Sequence, residues 1–152
     1  MKIYLVRHGE AVPPEIDPEK PLSPKGREEV EEIARALGKN SFPLSTILHS
    51  DKLRAKQTAQ IFGDHLASDA PLEEHSYLAP NDPIDDAVKR IEAEEEDFMI
   101  VGHLPFLSRL TSQLVTGNEG VEIVPFGPGT TVCLETSNGS WVIDWVFTHD
   151  QA

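Results

Sequence analysis

The chain is short of cysteine and of positive charge. It has one cysteine, Cys133, and 13 lysines and arginines against 26 aspartates and glutamates. A lone cysteine forms no internal disulfide, which agrees with a reducing compartment. Cysteine-based phosphate chemistry wants an arginine six positions after the nucleophile, and Gly139 stands there. Cys133 therefore reads as a small buried hydrophobe within a strand. The net charge of −13 argues against nucleic acid and against anionic membranes as partners. No apolar run approaches the roughly 18 residues of a membrane span. The N-terminus opens directly on strand-like sequence rather than a secretory leader, so a cytoplasmic location is expected. Neither H-x-x-x-H spacing nor paired cysteines occur, so no metal is expected. Part of the acidity is concentrated at Glu92 and in Glu94-Glu95-Glu96-Asp97. This run reads as the solvated end of a helix and a turn.

What is present is an alternation of two patterns. Short apolar runs at 3–6, 46–49, 98–101, 131–135 and 141–147 read as strands, with helical spacing between most of them. Such alternation predicts an α/β fold, with a mainly parallel sheet covered by helices on both faces. With no internal repeat and no long linker, residues 1–152 read as a single domain. Ser23 and Pro24 mark a helix start, and Val30, Ile33, Ala34 and Leu37 give its apolar stripe up to Gly38. Gly26 in its first turn costs roughly 1 kcal/mol against alanine, so a close backbone approach is expected there. A second helix is predicted from near Ser50 to Leu66. A third opens at Asn81-Asp82-Pro83, and a fourth follows Gly102-His103-Leu104-Pro105. Residues 117–129 read as a loop, and Ser137-Asn138-Gly139 as the turn of a closing hairpin. Trp141 and Trp145, four apart on the last strand, should share one face.

The chemistry concentrates at strand ends. Arg7-His8-Gly9 directly follows the first strand, and Gly102-His103 ends another. In open α/β sheets, ligands bind beyond the carboxyl ends of the strands. Arg54 falls in the first turn of the second helix, which also starts at a strand end. Three connections can thus bring two arginines and two histidines to one pocket. A neutral His8 offers a ring nitrogen to phosphorus. Arg7 and Arg54 can grip the phosphate oxygens, and His103 can donate a further hydrogen bond as charge spreads. The arginines supply the charge that a metal otherwise would, so no cofactor is required.

Four motifs, Arg7-His8-Gly9-Glu10, Leu22-Ser23-Pro24-Lys25-Gly26, Ser50 through Thr58, and Gly102-His103, occur in this order. Together they resemble the histidine phosphatase superfamily, the phosphoglycerate mutase-like fold. The resemblance spans positions 4 to 105 in motifs and most of the chain in organisation. It implies a three-layer sandwich around a mainly parallel sheet. It also implies that His8 is phosphorylated, that Arg7, Arg54 and Gly9 bind the phosphate, and that His103 completes the pocket. A backbone carbonyl is expected to hold the other ring nitrogen of His8. Within the superfamily, Arg7 through Ala11 is similar to the small SixA-type phosphohistidine phosphatases.

Larger members insert a segment after the second helix that carries a glutamate acid and covers the substrate. Here only residues 67–83 are available, which implies an open, shallow pocket. A phosphohistidine P–N bond needs less acid help than an ester. The expected function is therefore a phosphohistidine phosphatase acting on a signalling protein that carries a phosphotransfer domain. The alternatives are a phosphomonoesterase for a small phosphorylated metabolite, such as a sugar or nucleotide phosphate, and a silent phosphate-binding module. Glu73 and Glu74 are the candidate proton donors. Glu10 could tune the pocket or form a salt bridge beside a helix, and His49 could line the rim. His65, His75 and His149 read as surface residues. Lys52 and Lys56 either widen a positive patch around Arg54 or simply solvate a helix. No extended apolar surface pattern asks for a dimer, so a monomer is expected.

Overall fold

A computed structural model describes residues 1–152. Its centre is β1 (Lys2–Arg7), in which Ile3, Tyr4, Leu5 and Val6 are buried on both faces. A strand covered on both sides must be apolar at consecutive positions, and this one is. It pairs in parallel with β4 (Phe98–Gly102) and antiparallel with β5 (Thr131–Ser137). Beyond β4 lie β2 (Ile47–His49) and β3 (Leu72–Glu74), both parallel; beyond β5 lies β6 (Ser140–Phe147), antiparallel. The sheet order is β3-β2-β4-β1-β5-β6. Its central and β3-side strands are parallel, and the chain closes on an antiparallel hairpin.

Four helices cover the sheet. Helices α1 (Pro24–Leu37) and α2 (Leu53–Leu66) pack on one face, against Tyr4, Val6, Ile47, Met99 and Val101. Helices α3 (Asp85–Ala93) and α4 (Phe106–Thr116) pack on the other, against Ile3, Leu5, Leu48, Phe98 and Ile100. The period-2 alternation of each strand thus feeds two separate apolar cores, giving the expected three layers.

Local sequence explains the element ends. Ser23 Oγ accepts the Gly26 amide at 2.9 Å, and Pro24 opens α1. A Cβ on Gly26 would lie 2.1 Å from the Glu10 carbonyl oxygen, so the expected close approach is real. Asn138 and Gly139, with φ of 53° and 81°, make the two-residue turn between β5 and β6. Cys133 is fully buried, and burial pushes its thiol up to about 12.

Several expectations change. Strand β3 and the 3-10 turn Ser76–Leu78 were not legible: Leu72 is exposed and Leu72-Glu73-Glu74 shows no apolar alternation. Helix α2 begins at Leu53 rather than near Ser50. Asp82 does not cap α3, because its carboxylate accepts the Ala79 amide at 2.9 Å instead. Trp141 and Trp145 do not share a face. Cys133 pairs with Trp145 but Leu134 with Ile143, so Asp144 is an extra residue in β6. This bulge reverses the alternation, sending Trp145 to the α1–α2 side and Trp141 to the α3–α4 side.

Candidate active site

The carboxyl ends of β1, β2 and β4 lie side by side, and each releases a polar residue at the same edge. Arg7 and Gly102 are register partners, and the His8 amide donates to the Gly102 carbonyl at 2.9 Å. His8 and His103 therefore leave adjacent strands together. Their ring centroids are 4.9 Å apart, tilted by 54°.

His8 is held at one nitrogen only. Its Nδ1 lies 2.6 Å from the Gly9 carbonyl oxygen, an acceptor, so Nδ1 carries the proton. Nε2 is left with its lone pair. Burial is the main cause that lowers the His8 pKa to about 4, with Arg54, Arg7 and Lys20 acting in the same direction and the Gly9 bond opposing them. The imidazole is thus neutral at pH 7, the state a nucleophile needs.

The loop after His8 is fixed by close packing. A Cβ on Gly9 would lie 2.5 Å from Val30 Cγ2, so α1 presses directly on this turn. The Gly9 amide donates to Thr58 Oγ1 at 3.1 Å, and that hydroxyl donates to the Arg54 carbonyl at 2.8 Å. The turn that carries His8 and the helix bearing Arg54 are therefore joined through one side chain.

The cations are placed by different means. Arg7 Nη1 donates to the Phe126 carbonyl at 2.9 Å, while its Nε is buried without a partner. Burial lowers the pKa of both Arg7 and Arg54, yet no carboxylate pairs with either guanidinium. Unneutralised arginines in a partly dry site are well suited to an anion. Lys20, Lys52, Arg54 and Lys56 line an open groove at this edge together with Glu19, Asp51 and Glu74, and of the two arginines and two histidines Arg54 alone lines it. The patch around Arg54 thus mixes cations with carboxylates, Lys52 lying 3.7 Å from Asp51, and Lys20 extends it from the loop before α1.

His103 is buried, and its Nε2 lies 2.6 Å from Ser50 Oγ. Its pKa is lowered to about 3, chiefly by burial and then by His8, Arg54, Lys52 and Lys20. It is therefore neutral, and its Nδ1 has no partner.

All four predicted residues, Arg7, His8, Arg54 and His103, converge, with Gly9 at the turn between them. Other candidates do not join them. Glu10 Oε1 accepts from Ser23 Oγ at 3.0 Å, and its other oxygen lies 3.9 Å from Lys25. His49 is buried rather than on the rim, with Nδ1 2.8 Å from the Ser50 carbonyl. His65 is exposed, and His149 pairs with Glu32 at 2.8 Å. His75 is half-buried against Tyr77. Glu73 faces away: it accepts from Thr46 at 2.8 Å and Arg90 at 3.1 Å, and these bonds hold its pKa down. Glu74, the next residue, turns the opposite way along β3 and borders the groove. Ser50, Thr58, Lys20 and the Phe126 carbonyl were not singled out from the sequence. Ser50 and Thr58 could have been, as the polar ends of the Arg54 motif.

Residues 3–80 match the family model of the histidine phosphatase superfamily, branch 1. The Escherichia coli K12 protein named phosphohistidine phosphatase SixA is 24% identical over 146 residues, covering 93% of this chain and 91% of that one. Among solved structures, protein histidine phosphatase SixA complexed with tungstate has a TM-score of 0.87 at 22% identity, covering 99% of this chain and 98% of that one. The alpha-ribazole phosphatase from Shigella flexneri has a TM-score of 0.78 at 16% identity, covering 98% and 97%. Both likenesses place the chain in one fold, phosphoglycerate mutase-like.

Proposed function

The chain belongs to branch 1 of the histidine phosphatase superfamily, and from that premise we propose that it hydrolyses phosphohistidine on a signalling protein through a covalent intermediate on His8. The observation that carries this reading is the His8 ring. With Nδ1 bound to the Gly9 carbonyl at 2.6 Å, only Nε2 is free to attack.

Each step then has a residue. Arg7 and Arg54 bind the non-bridging oxygens and hold phosphorus in line with His8 Nε2. His8 Nε2 forms a bond to phosphorus as the P–N bond to the substrate imidazole breaks. That imidazole leaves and takes a proton from solvent. Water then attacks the phosphoryl group on His8, releasing inorganic phosphate and restoring the neutral ring. His103 and the arginines stabilise the charge that spreads over the oxygens in both steps.

Two observations favour a phosphohistidine substrate. The segment between α2 and α3 is short and forms only a three-residue strand and a 3-10 turn, so nothing roofs the groove. An open groove admits a phosphate displayed on a protein surface. The E. coli relative named for phosphohistidine matches this chain over nearly all of both lengths. A second reading, a small-molecule phosphomonoesterase, rests on Glu74. That carboxylate borders the groove and could protonate an ester oxygen.

The test is a comparison of substrates with a His8→Ala control. The protein is mixed with a phosphohistidine-bearing phosphotransfer domain, and phosphate release is followed beside release from sugar and nucleotide phosphates. Rapid release from the domain, absent in the control, is expected, with acid-labile phosphate trapped on His8. Inertness toward the domain together with turnover of one ester would sink the first reading in favour of the second.

A further inference from the structure

We propose that Ser50 is a positioning residue that fixes the tautomer of His103, so that His103 presents a proton on Nδ1 to the phosphoryl group in transfer. This rests on the reading of His8, Arg7, Arg54 and His103 as a phosphoryl-transfer site.

Proton accounting leads to it. Ser50 follows β2 and is 0% exposed; His103 follows β4 and is 1% exposed. Ser50 Oγ has two partners: the Lys52 amide, which donates to it at 3.3 Å, and His103 Nε2 at 2.6 Å. The hydroxyl also has one proton of its own to place. If Nε2 carried a proton, both partners would be donors, and the proton of the fully buried Ser50 hydroxyl would have no acceptor. If Nε2 is bare, the hydroxyl donates to it and every polar atom of the Ser50 side chain is satisfied. The remaining His103 proton then lies on Nδ1, which is buried and unpartnered.

An orphaned buried donor is unusual and calls for a reason. A phosphoryl oxygen supplies one, since it accepts the hydrogen bond when substrate arrives. The opposite tautomer would set a lone pair against anionic oxygens. Burial and the nearby cations keep the ring neutral, so it has one proton to place and not two.

The pair then divides its labour by which nitrogen is occupied. The Gly9 carbonyl occupies His8 Nδ1 and frees a lone pair. Ser50 occupies His103 Nε2 and frees a proton. Both rings are protonated at Nδ1, yet one is left nucleophilic and the other a hydrogen-bond donor.

The tautomer can be read directly. Long-range nitrogen–proton NMR on the full-length protein, with His103 assigned from a His103→Gln variant, should show a protonated Nδ1 and a bare Nε2. The Nδ1 signal should shift on titration with inorganic phosphate. A proton on Nε2 in the wild-type protein would overturn the proposal, whatever the substrate proves to be. Ser50→Ala should mix the tautomers and lower kcat for phosphoramidate about 10- to 100-fold, with a smaller change in KM, as for other groups that orient a histidine through its second nitrogen. Ser50→Thr, which keeps the hydroxyl, should restore a single tautomer. An unchanged kcat in Ser50→Ala would equally overturn the proposal. Failure of the wild-type protein to turn over phosphoramidate, with the tautomer as stated, would overturn the phosphoryl-transfer reading and with it the role given to Ser50. If Ser50→Ala does not fold, the wild-type spectrum still decides.

Discussion

The Gly9 amide and the Thr58 hydroxyl meet at 3.1 Å, which ties the turn that carries His8 to helix α2. Thr58 is fully buried and donates a hydrogen bond to the Arg54 carbonyl at 2.8 Å. One hydroxyl therefore joins the His8 turn to the Arg54 backbone. Thr58→Val keeps the shape and removes the hydroxyl, leaving the buried Gly9 amide unpaired. A stability loss of about 1–3 kcal/mol is expected from that desolvated donor. Denaturant unfolding measures it, and kcat/KM should fall as the His8 turn loosens. Unchanged stability and activity would show that the bond is dispensable.

Gly26 offers a test in which local and tertiary preference oppose each other. Within a helix, Gly→Ala should gain up to about 1 kcal/mol. Here the added Cβ would lie 2.1 Å from the Glu10 carbonyl oxygen, and backbone is what would have to move. Gly26→Ala should therefore destabilise by about 1–3 kcal/mol, the usual range for overpacking. Because Glu10 lies two residues from His8, activity should fall with stability. A raised melting temperature would contradict this.

How far the sequence reveals the site depends on how each contact is made. Strands β1 and β4 announce themselves because both faces are buried and their apolar runs are continuous. The residues just after them, His8 and His103, can be placed at one edge from chain order alone. Strand β3 cannot, because at three residues with an exposed Leu72 it has no pattern to read. The facing of Trp141 was lost to a single inserted residue, Asp144, which is held by Lys2 at 3.2 Å. The contact between Arg7 and the Phe126 carbonyl spans 119 positions and uses backbone on one side, so it leaves no side-chain signal. Ser50 was visible within a motif, but its link to His103 exists only once β2 and β4 are neighbours.

The buried histidines set the acid side of the pH dependence. In the folded protein the His8 pKa is lowered from 6.5 to about 4 and that of His103 to about 3, burial being the first cause in each. On the proposed mechanism, protonation of His8 removes the attacking lone pair. The enzyme's own acid limb in kcat/KM should therefore fall near pH 4, well below the 6.5 of a free imidazole. Stability follows the same sign. Between pH 6.5 and these lowered values the unfolded chain binds more protons than the folded one, so stability is lost as pH falls through this window. His103→Gln should flatten part of that loss in denaturant titrations at pH 4–6. An acid limb at 6.5 would mean that His8 is not dry.

Glu73 and Glu74 separate the two substrate readings, because the alternation of β3 sends them opposite ways. Glu73 is bound by Thr46 and Arg90, and those bonds favour its ionised form. It has no proton to give at neutral pH and lies away from the groove. Glu73→Gln should weaken the Arg90 contact and cost a little stability, while leaving kcat for every substrate unchanged. Glu74 borders the groove with Arg54 and Lys52. An alkoxide leaving group needs a proton far more than an imidazole does, and general acid catalysis is worth about 10²–10⁴-fold where it operates. Glu74→Gln should therefore spare hydrolysis of phosphohistidine. If it also lowers ester hydrolysis by about that factor, the protein has a working acid, and the phosphomonoesterase reading gains. Equal rates on both substrate classes would leave the open groove with no acid, and P–N cleavage as the chemistry it is built for.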